Sequence, residues 1–314
     1  MKKLVVTRMF ALVPVLLAVS LIAFLLLELA PGDVVLAILG SEATPERILE
    51  LRKELGLDAS MVVRYGRWLR NSLHGDLGFA PSLGMRVSDA IGQRIRPTLA
   101  LAVCGLTVAV ALGIPAGVVA AVFRNGRVDQ LVMAVSVFGV SLPSFVTGLL
   151  LMLLFSLRLG VLPSGGYVPI HESFTGWLSH LALPSFSVGL NHAALIARMT
   201  RSSVAGILSQ DFVRTARAKG LGEMVVIMKH SLKNALPPVL TVIGTSFGGL
   251  LGGIVVTETI FAYPGVGRLA VLAIERRDPV LLQGVILVSA SVYVLVNLLV
   301  DIGYALVDPR VRFD

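Results

Sequence analysis

Arg214, Arg217 and Lys219 fall close together in the segment Ser209 to Pro238, SQDFVRTARAKGLGEMVVIMKHSLKNALPP, interleaved with Phe212, Val213 and Ala216. Cationic and apolar side chains at helical spacing, with no nucleophile and base beside them, suit docking of a helix on another surface rather than making or breaking bonds. Ser209 or Asp211 is expected to cap this short helix, and Gly220 stands where a left-handed residue would close it. Phe212, Val213 and Ala216 share one face, while Arg214 and Arg217 point elsewhere. After Leu221-Gly222 a second helical pattern runs from Glu223 to Asn234, and Pro237 and Pro238 fall in the first turn of the next apolar run, where a missing N–H costs little. The segment is expected to be a helix-turn-helix at a membrane surface.

Residues that could do bond chemistry are sparse. No G-x-x-x-x-G-K-[ST] phosphate loop occurs, so the chain is not expected to bind or hydrolyse nucleotide and is not read as an enzyme. No H-E-x-x-H or comparable metal spacing occurs, and His171-Glu172, His180 and His192 are scattered. The single cysteine, Cys104, lies in an apolar run and excludes an intramolecular disulfide or a cysteine metal cluster. PGVG at Pro264 to Gly267 lacks the strand-then-helix context of a nucleotide loop.

The elements that must carry the basic segment are apolar. Of 314 residues 55% are hydrophobic and only 15% charged, with a mean hydropathy of +0.86. That profile belongs to an integral membrane protein. The net charge of +8 is divided among short loops, which disfavours nucleic acid as a partner. Met9 to Leu29 reads as a retained first span, because Glu28 occupies the place where a leader would have a small cleavage-site residue. From Pro31 to Arg96 hydropathy falls. Thr44-Pro45-Glu46 opens a helix with the stripe Ile48, Leu51, Leu55, closed by Gly56, and Met61 to Leu73 carries Tyr65 and Trp68 with Arg64, Arg67 and Arg70. Both patterns suit amphipathic helices at the interface or on the bundle.

Five more apolar runs follow, at Thr98 to Val122, Leu131 to Leu157, Leu181 to Ile196, Leu236 to Val256 and Leu281 to Leu306, with Pro115 and Pro143 placed to kink them. With six spans, the N-terminus, the Arg124/Arg127 loop, the central basic segment and the tail with Arg310 and Arg312 share one side, expected to be the cytoplasm. The expected organisation is a first span over 1–30, an extracytoplasmic helical segment over 31–94, a five-helix transmembrane domain over 95–306 with its coupling segment at about 202–235, and a cytoplasmic tail over 307–314. Within the spans, Gly244, Gly248 and Gly252 recur every four residues and allow another helix to approach closely, inside the subunit or at a subunit or pore-lining interface. Glu258 follows in the charge-balanced loop, and Tyr293, Asn297, Asp301, Tyr304 and Asp308 share a face of the last span. Gly244, Gly248, Gly252, Glu258, Asn297 and Asp301 are the packing or pore candidates.

DFVRTARAKG followed by KHSLKNALPP resembles the cytoplasmic loop that defines permease subunits of bacterial ABC importers, in the dipeptide, oligopeptide and nickel branch. The resemblance extends to APGD at Ala30 to Asp33, LGLD at Leu55 to Asp58, HGDLG at His74 to Gly78, SLPSF at Ser141 to Phe145, TETIFAYPGVGR at Thr257 to Arg268 and NLLVDIGYALVDPRVR at Asn297 to Arg312. These resemble the first, B-type, of the two permeases in such systems. The wider importer motif has Glu-Ala-Ala before its glycine, whereas here Arg214-Thr215-Ala216 fills those places and Gly220 is retained. The resemblance implies an all-α polytopic protein with six transmembrane helices in the type I ABC importer permease fold. It assigns ATPase coupling to Asp211, Phe212, Val213, Arg214, Thr215, Ala216, Arg217, Ala218, Lys219, Gly220 and Leu221. It implies a second homologous permease, two cytoplasmic ATPases that use ATP and Mg, an extracytoplasmic substrate-binding protein, the bilayer as solvent, and no cofactor on this chain. Short peptides are the expected cargo, with nickel or glutathione as alternatives within the family. An ion-coupled secondary transporter is the alternative from another class, and it would need charged or broken-helix sites near the midplane.

Overall fold

A computed structural model of the chain describes residues 2–29, 39, 44–54 and 58–307. Helix α1 (Lys2–Leu29) is apolar through Phe10–Leu26 and packs along the last helix. Thr44 opens α2 (Pro45–Glu54), its hydroxyl accepting the Arg47 N–H at 3.3 Å; the expected closing glycine, Gly56, and the APGD stretch lie outside the described residues. Helix α3 (Met61–Leu73) leans on α1 through Phe24, whose ring meets Tyr65 edge-on at 5.4 Å and Trp68 at 5.9 Å. Arg64 pairs with Glu28, one bond at 3.0 Å, so the acid near the end of the first apolar run is neutralised from α3.

The segment expected to be helical throughout also holds a hairpin, β1 (Phe79–Ala80) antiparallel to β2 (Met85–Arg86), which turns through Gly84 at φ 65°. Its chain runs straight into α4 (Val87–Val122), so the boundary expected at 94 falls inside a helix. Then come α5 (Arg127–Ser141), α6 (Ser144–Arg158, its last two turns π-helical), α7 (Phe174–Leu208), α8 (Asp211–Ala218), α9 (Glu223–Ile260), α10 (Val266–Glu275) and α11 (Pro279–Val307).

The run Leu131 to Leu157, expected as one span, is broken: α5 and α6 meet at 103° around Leu142-Pro143. Pro143 pushes Leu142 into the extended region, ψ 125°, which ends α5, and carbonyls at the break need donors. Helix α7 supplies both, Asn191 donating to the Leu142 carbonyl at 2.8 Å and Ser187 to that of Ser144 at 2.7 Å. The helix expected at Leu181 to Ile196 is far longer, 35 residues through Pro184. The break expected near Asn234 is also absent. Val226–Leu232 widens into π-helix, with buried Ser231 donating to the Val226 carbonyl five residues back, and the helix continues through Pro237 and Pro238. Among the described residues three helices are long and apolar enough to cross a bilayer, α4, α9 and α11, or four if the bent pair counts as one span.

A close helix approach that sequence reasoning missed joins α4 to α7. Gly105, Ala109, Gly113 and Gly117 recur every four residues on α4 and are all buried. A Cβ on Gly113 would come within 2.7 Å of the Ala193 carbonyl of α7, and one on Gly117 within 2.5 Å of the Ala197 carbonyl. Gly189 answers from α7, 2.7 Å from the Gly105 carbonyl by the same measure. Between lipid-facing helices dispersion must hold the pair, and it needs this proximity. Gly117→Val is therefore expected to lower the apparent melting temperature of the detergent-purified protein by several degrees. Gly92→Ala, in the same helix with open space beside it, is expected to leave it unchanged or raise it slightly.

Candidate functional site

The basic segment forms a hinge between α7 and α9. Neither expected cap operates: Gln210 is the N-cap of α8 with no side-chain bond, Ser209 donates its hydroxyl back to the Gly206 carbonyl at 2.8 Å, and Asp211 lies inside the first turn. The expected glycine turn is present, with Gly220 at φ 79° and the Leu221 N–H reaching the Ala216 carbonyl. Arg217 bridges this turn to Glu223, Nε to Oε2 at 3.0 Å, and that carboxylate pushes the guanidinium pKa further up.

Val213 and Ala216 do not face outward as an apolar docking face would require. Both are buried against Val226, with Ile207 and Leu208 packed alongside, because the chain doubles back and covers them. Thr215 bonds its own helix at Asp211, and Arg214 reaches Asp211 at 3.6 Å on an exposed surface, a pair of little energetic weight. What remains outside is Phe212 at 40% exposure, with Leu221, Met224 and Met228 beyond it, flanked by Arg214, Ala218 and Lys219. The apolar outward patch thus comes from the turn and from α9 as well as from α8.

The glycine stripe of α9 divides between two roles. Gly244 and Gly248 are buried, and a Cβ on Gly248 would meet Asn297 Oδ1 of α11 at 2.8 Å. Gly252 has nothing within 4 Å and faces open space. Asp301 lies in α11, but its side chain is outside the described residues, as is Asp308.

Glu258 is fully buried at the other end of α9 and forms a knot. Its carboxylate accepts the Thr98 hydroxyl at 2.6 Å and the Arg268 N–H at 3.0 Å, and Thr98 in turn accepts the Val266 N–H at 2.8 Å. The first turn of α10 thereby receives a carboxyl cap from another helix, which accepts N–H groups that have no partner within the helix. Gly265 makes this possible, since any Cβ there would overlap the carboxylate at 1.9 Å. PGVG is therefore a carboxylate seat, with the long loop before α7 resting on it: the Gly166 N–H bonds the Phe261 carbonyl at 2.9 Å, and Tyr167 meets Tyr263 edge-on at 5.3 Å. At the hinge end a second acid, Asp129, is buried and held by Arg201 through two bonds of 2.9 and 2.6 Å, with the Asn125 N–H as a third donor. Thr98 and Asp129 carried no sequence signal, because their partners lie far away in the chain. Among the described residues no three His, Cys, Asp or Glu side chains are grouped to hold a metal ion.

Residues 113–313 match the family model described as binding-protein-dependent transport system inner membrane component, and residues 1–102 match the model of its N-terminal part. The chain is 45% identical over 314 residues, all of both chains, to a peptide transport system permease protein of Brucella abortus (strain 2308). It is 41% identical over 309 residues, 98% of each chain, to the glutathione transport system permease protein GsiC of Escherichia coli (strain K12). In fold it is similar to an inward-facing structure of the MetNI methionine ABC transporter, with a TM-score of 0.59 at 18% identity, covering 70% of this chain and 96% of that one.

Removing the seat or its occupant should loosen the same end of the molecule. Gly265→Ala and Glu258→Ala are each expected to lower the apparent melting temperature in detergent, the latter by leaving buried donors unpartnered at about 1–3 kcal/mol. Thr259→Ala, on the exposed face of α9, should not change it.

Proposed function

The chain belongs to the family of binding-protein-dependent transport system inner membrane components, and from that membership we infer that it is the permease subunit of an ATP-driven importer carrying short peptides. The observation that carries the reading is the correspondence, over the whole chain, with a peptide transport permease. The protein is a multi-pass component of the inner membrane and works with ATPase and substrate-binding partners, as permeases of this family do. Glutathione, itself a tripeptide, is the second cargo, favoured by the GsiC relative.

The finer assembly is a heterodimer with a second permease, two ATPases that use ATP and Mg, and no nucleotide or other cofactor on this chain. Support comes from α9, whose Gly252 and Gly253 leave one face without side chains and open. Docking of the ATPases is supported by the hinge, where Phe212, Leu221, Met224 and Met228 are exposed while Val213 and Ala216 are packed and Arg214, Thr215 and Arg217 are paired. Closure of an ATPase groove on this patch moves α7 and α9 together, because Val213, Ala216 and the Arg217–Glu223 bridge tie α8 to both. The bent α5/α6 pair does not favour an ion-coupled carrier, since Asn191 and Ser187 already satisfy the Leu142 and Ser144 carbonyls at the break.

In proteoliposomes holding the full complex, ATP-dependent accumulation of a labelled tripeptide is expected, and its absence would overturn the peptide reading. Phe212→Ala should weaken ATPase association or uncouple hydrolysis from uptake, since burial of such a side chain in a partner is worth ~1.5–3 kcal/mol. Unchanged hydrolysis and uptake would reject the docking. Six spans with both termini cytoplasmic, argued from the basic loops, make a further expectation. In intact cells an impermeant thiol reagent should label Glu172→Cys, which is exposed, and spare Arg124→Cys until the cells are opened.

A further inference from the structure

Between α7 and α9 lies an open groove of about 530 Å³ whose lining includes His192, Arg198, Met199, Val242, Thr245 and Ser246. Residues 192, 195 and 199 return on one face of α7 at helical spacing, as do 242, 245 and 246 on α9, so both helices present a continuous strip to this space. Two of its polar groups are unused by the fold. The Nδ1 atom of His192 is enclosed with no hydrogen-bond partner. Arg198 is exposed and makes no hydrogen bond or ion pair with any described residue.

Arg198 differs in this from Arg201, although other exposed arginines such as Arg127 and Arg158 are equally unpartnered among the described residues. Arg201, one turn further along α7, is clamped by Asp129, Arg217 by Glu223, and Arg64 by Glu28. The Arg198 guanidinium is exposed and carries little desolvation cost of its own, whereas the enclosed His192 nitrogen without a partner does. The lining of the groove contains no acidic side chain, so its field is positive and a bare divalent cation is disfavoured there. Thr245 already donates its hydroxyl proton to the Thr241 and Val242 carbonyls, each at 3.1 Å, which leaves its oxygen free to accept. Met199 and Val242 supply apolar wall between these groups. On α9 a Cβ at Gly249 would come 3.4 Å from the His192 ring, and Gly252 and Gly253 have nothing within 4 Å.

A ligand that fits this lining has an anionic, planar head for the guanidinium fork, adjacent N–H groups for a hydroxyl acceptor, and modest apolar bulk. We propose that the groove is a carboxylate-binding subsite on the translocation path, where Arg198 meets the terminal carboxylate of a peptide in transit and His192 and Thr245 meet its neighbouring polar atoms. The inference rests on the reading of the chain as a peptide permease.

The test uses the complete complex with its binding protein in phosphatidylcholine proteoliposomes, with radiolabelled trialanine and trialanine amide as probes. KM for ATP-dependent uptake of each is measured in wild type, Arg198→Gln and Arg198→Lys. The wild type should prefer the free acid, and Arg198→Gln should raise the KM of the acid by about tenfold or more, the size expected for loss of a charged hydrogen bond. The acid-to-amide preference should fall by a similar factor, with Arg198→Lys recovering part of it. The binding protein is the same throughout, so its own preference cancels from the comparison. His192→Gln, which keeps a hydrogen-bonding atom, should be milder than His192→Leu. An unchanged preference in Arg198→Gln overturns the subsite while leaving the peptide reading standing. Failure of Arg198→Gln and Arg198→Lys alike to co-purify with the other subunits also overturns it, by assigning the arginine to subunit contact. A defect that arises only when phosphatidylglycerol is added assigns it to a lipid headgroup, with the same consequence. A wild type that accumulates neither probe fails the peptide reading itself, and the subsite with it.

Discussion

The approach of α4 to α7 is the contact on which the rest of the molecule hangs. Lipid tails are as apolar as leucine, so little is gained by burying one helix against another in a bilayer unless the backbones come close enough for dense dispersion contact. Gly105, Ala109, Gly113 and Gly117 provide that proximity, and Gly189 provides it from the other side. With α4 in place on one side, α7 can serve other elements. Asn191 and Ser187 satisfy the carbonyls where α5 gives way to α6, while Ile196 and Ala193 share a core with Val239 of α9. The helix that supports the bundle is therefore also the one that leads directly into the hinge.

Both ends of this bundle are held by acids whose carboxyl oxygens accept several hydrogen bonds. At the hinge end Arg201 and the Asn125 N–H hold Asp129. At the other, Glu258 seats in PGVG with Thr98, and Asp278 accepts both the Ser82 N–H of the hairpin at 3.1 Å and the Leu281 N–H at the start of α11 at 2.9 Å. Such bonds give little net stability when set against desolvation, but they are strongly directional, and losing one partner leaves a buried charge. Their effect is to fix the register of helices whose apolar faces alone would tolerate sliding. Between the two fixed ends the outer face of α9 is left with hydroxyls and bare glycines, which suits a surface that must meet moving solute or a second subunit.

The hinge has the complementary design. Its inner side is closed by Val213, Ala216 and Val226, and its turn is fixed by Gly220 and the Arg217–Glu223 bridge. The outer patch is joined through α8 to the elements on either side by packed side chains and an ion pair. That is what a permease needs if it is to be opened and closed by a separate motor. The chain has the fold of the importer permeases and carries exposed apolar residues at the hinge.

Much of this was legible in one dimension. The hydropathy, the basic segment, the Gly220 turn and the motifs that point to the importer permeases are local or compositional, and α8, the turn and the long apolar helices α4, α9 and α11 are present as expected. The errors came wherever a distant partner decided the outcome. Pro143 was expected to kink a span, but donors 43 and 49 residues from the Ser144 and Leu142 carbonyls let it break by 103°. Pro237 and Pro238 were expected to begin a helix, but the π-helical turns before them carry one helix through. Val213 and Ala216 looked like a docking face until the returning chain buried them. The stripe at Gly105 to Gly117 was as regular as that at Gly244 to Gly252, and only the position of α7 singled it out. Composition and period decide which segments become helices and which face is apolar, because those depend on neighbours within a turn or two. Which helix covers that face, and which polar atom a distant side chain must satisfy, depends on three-dimensional packing that no local pattern encodes.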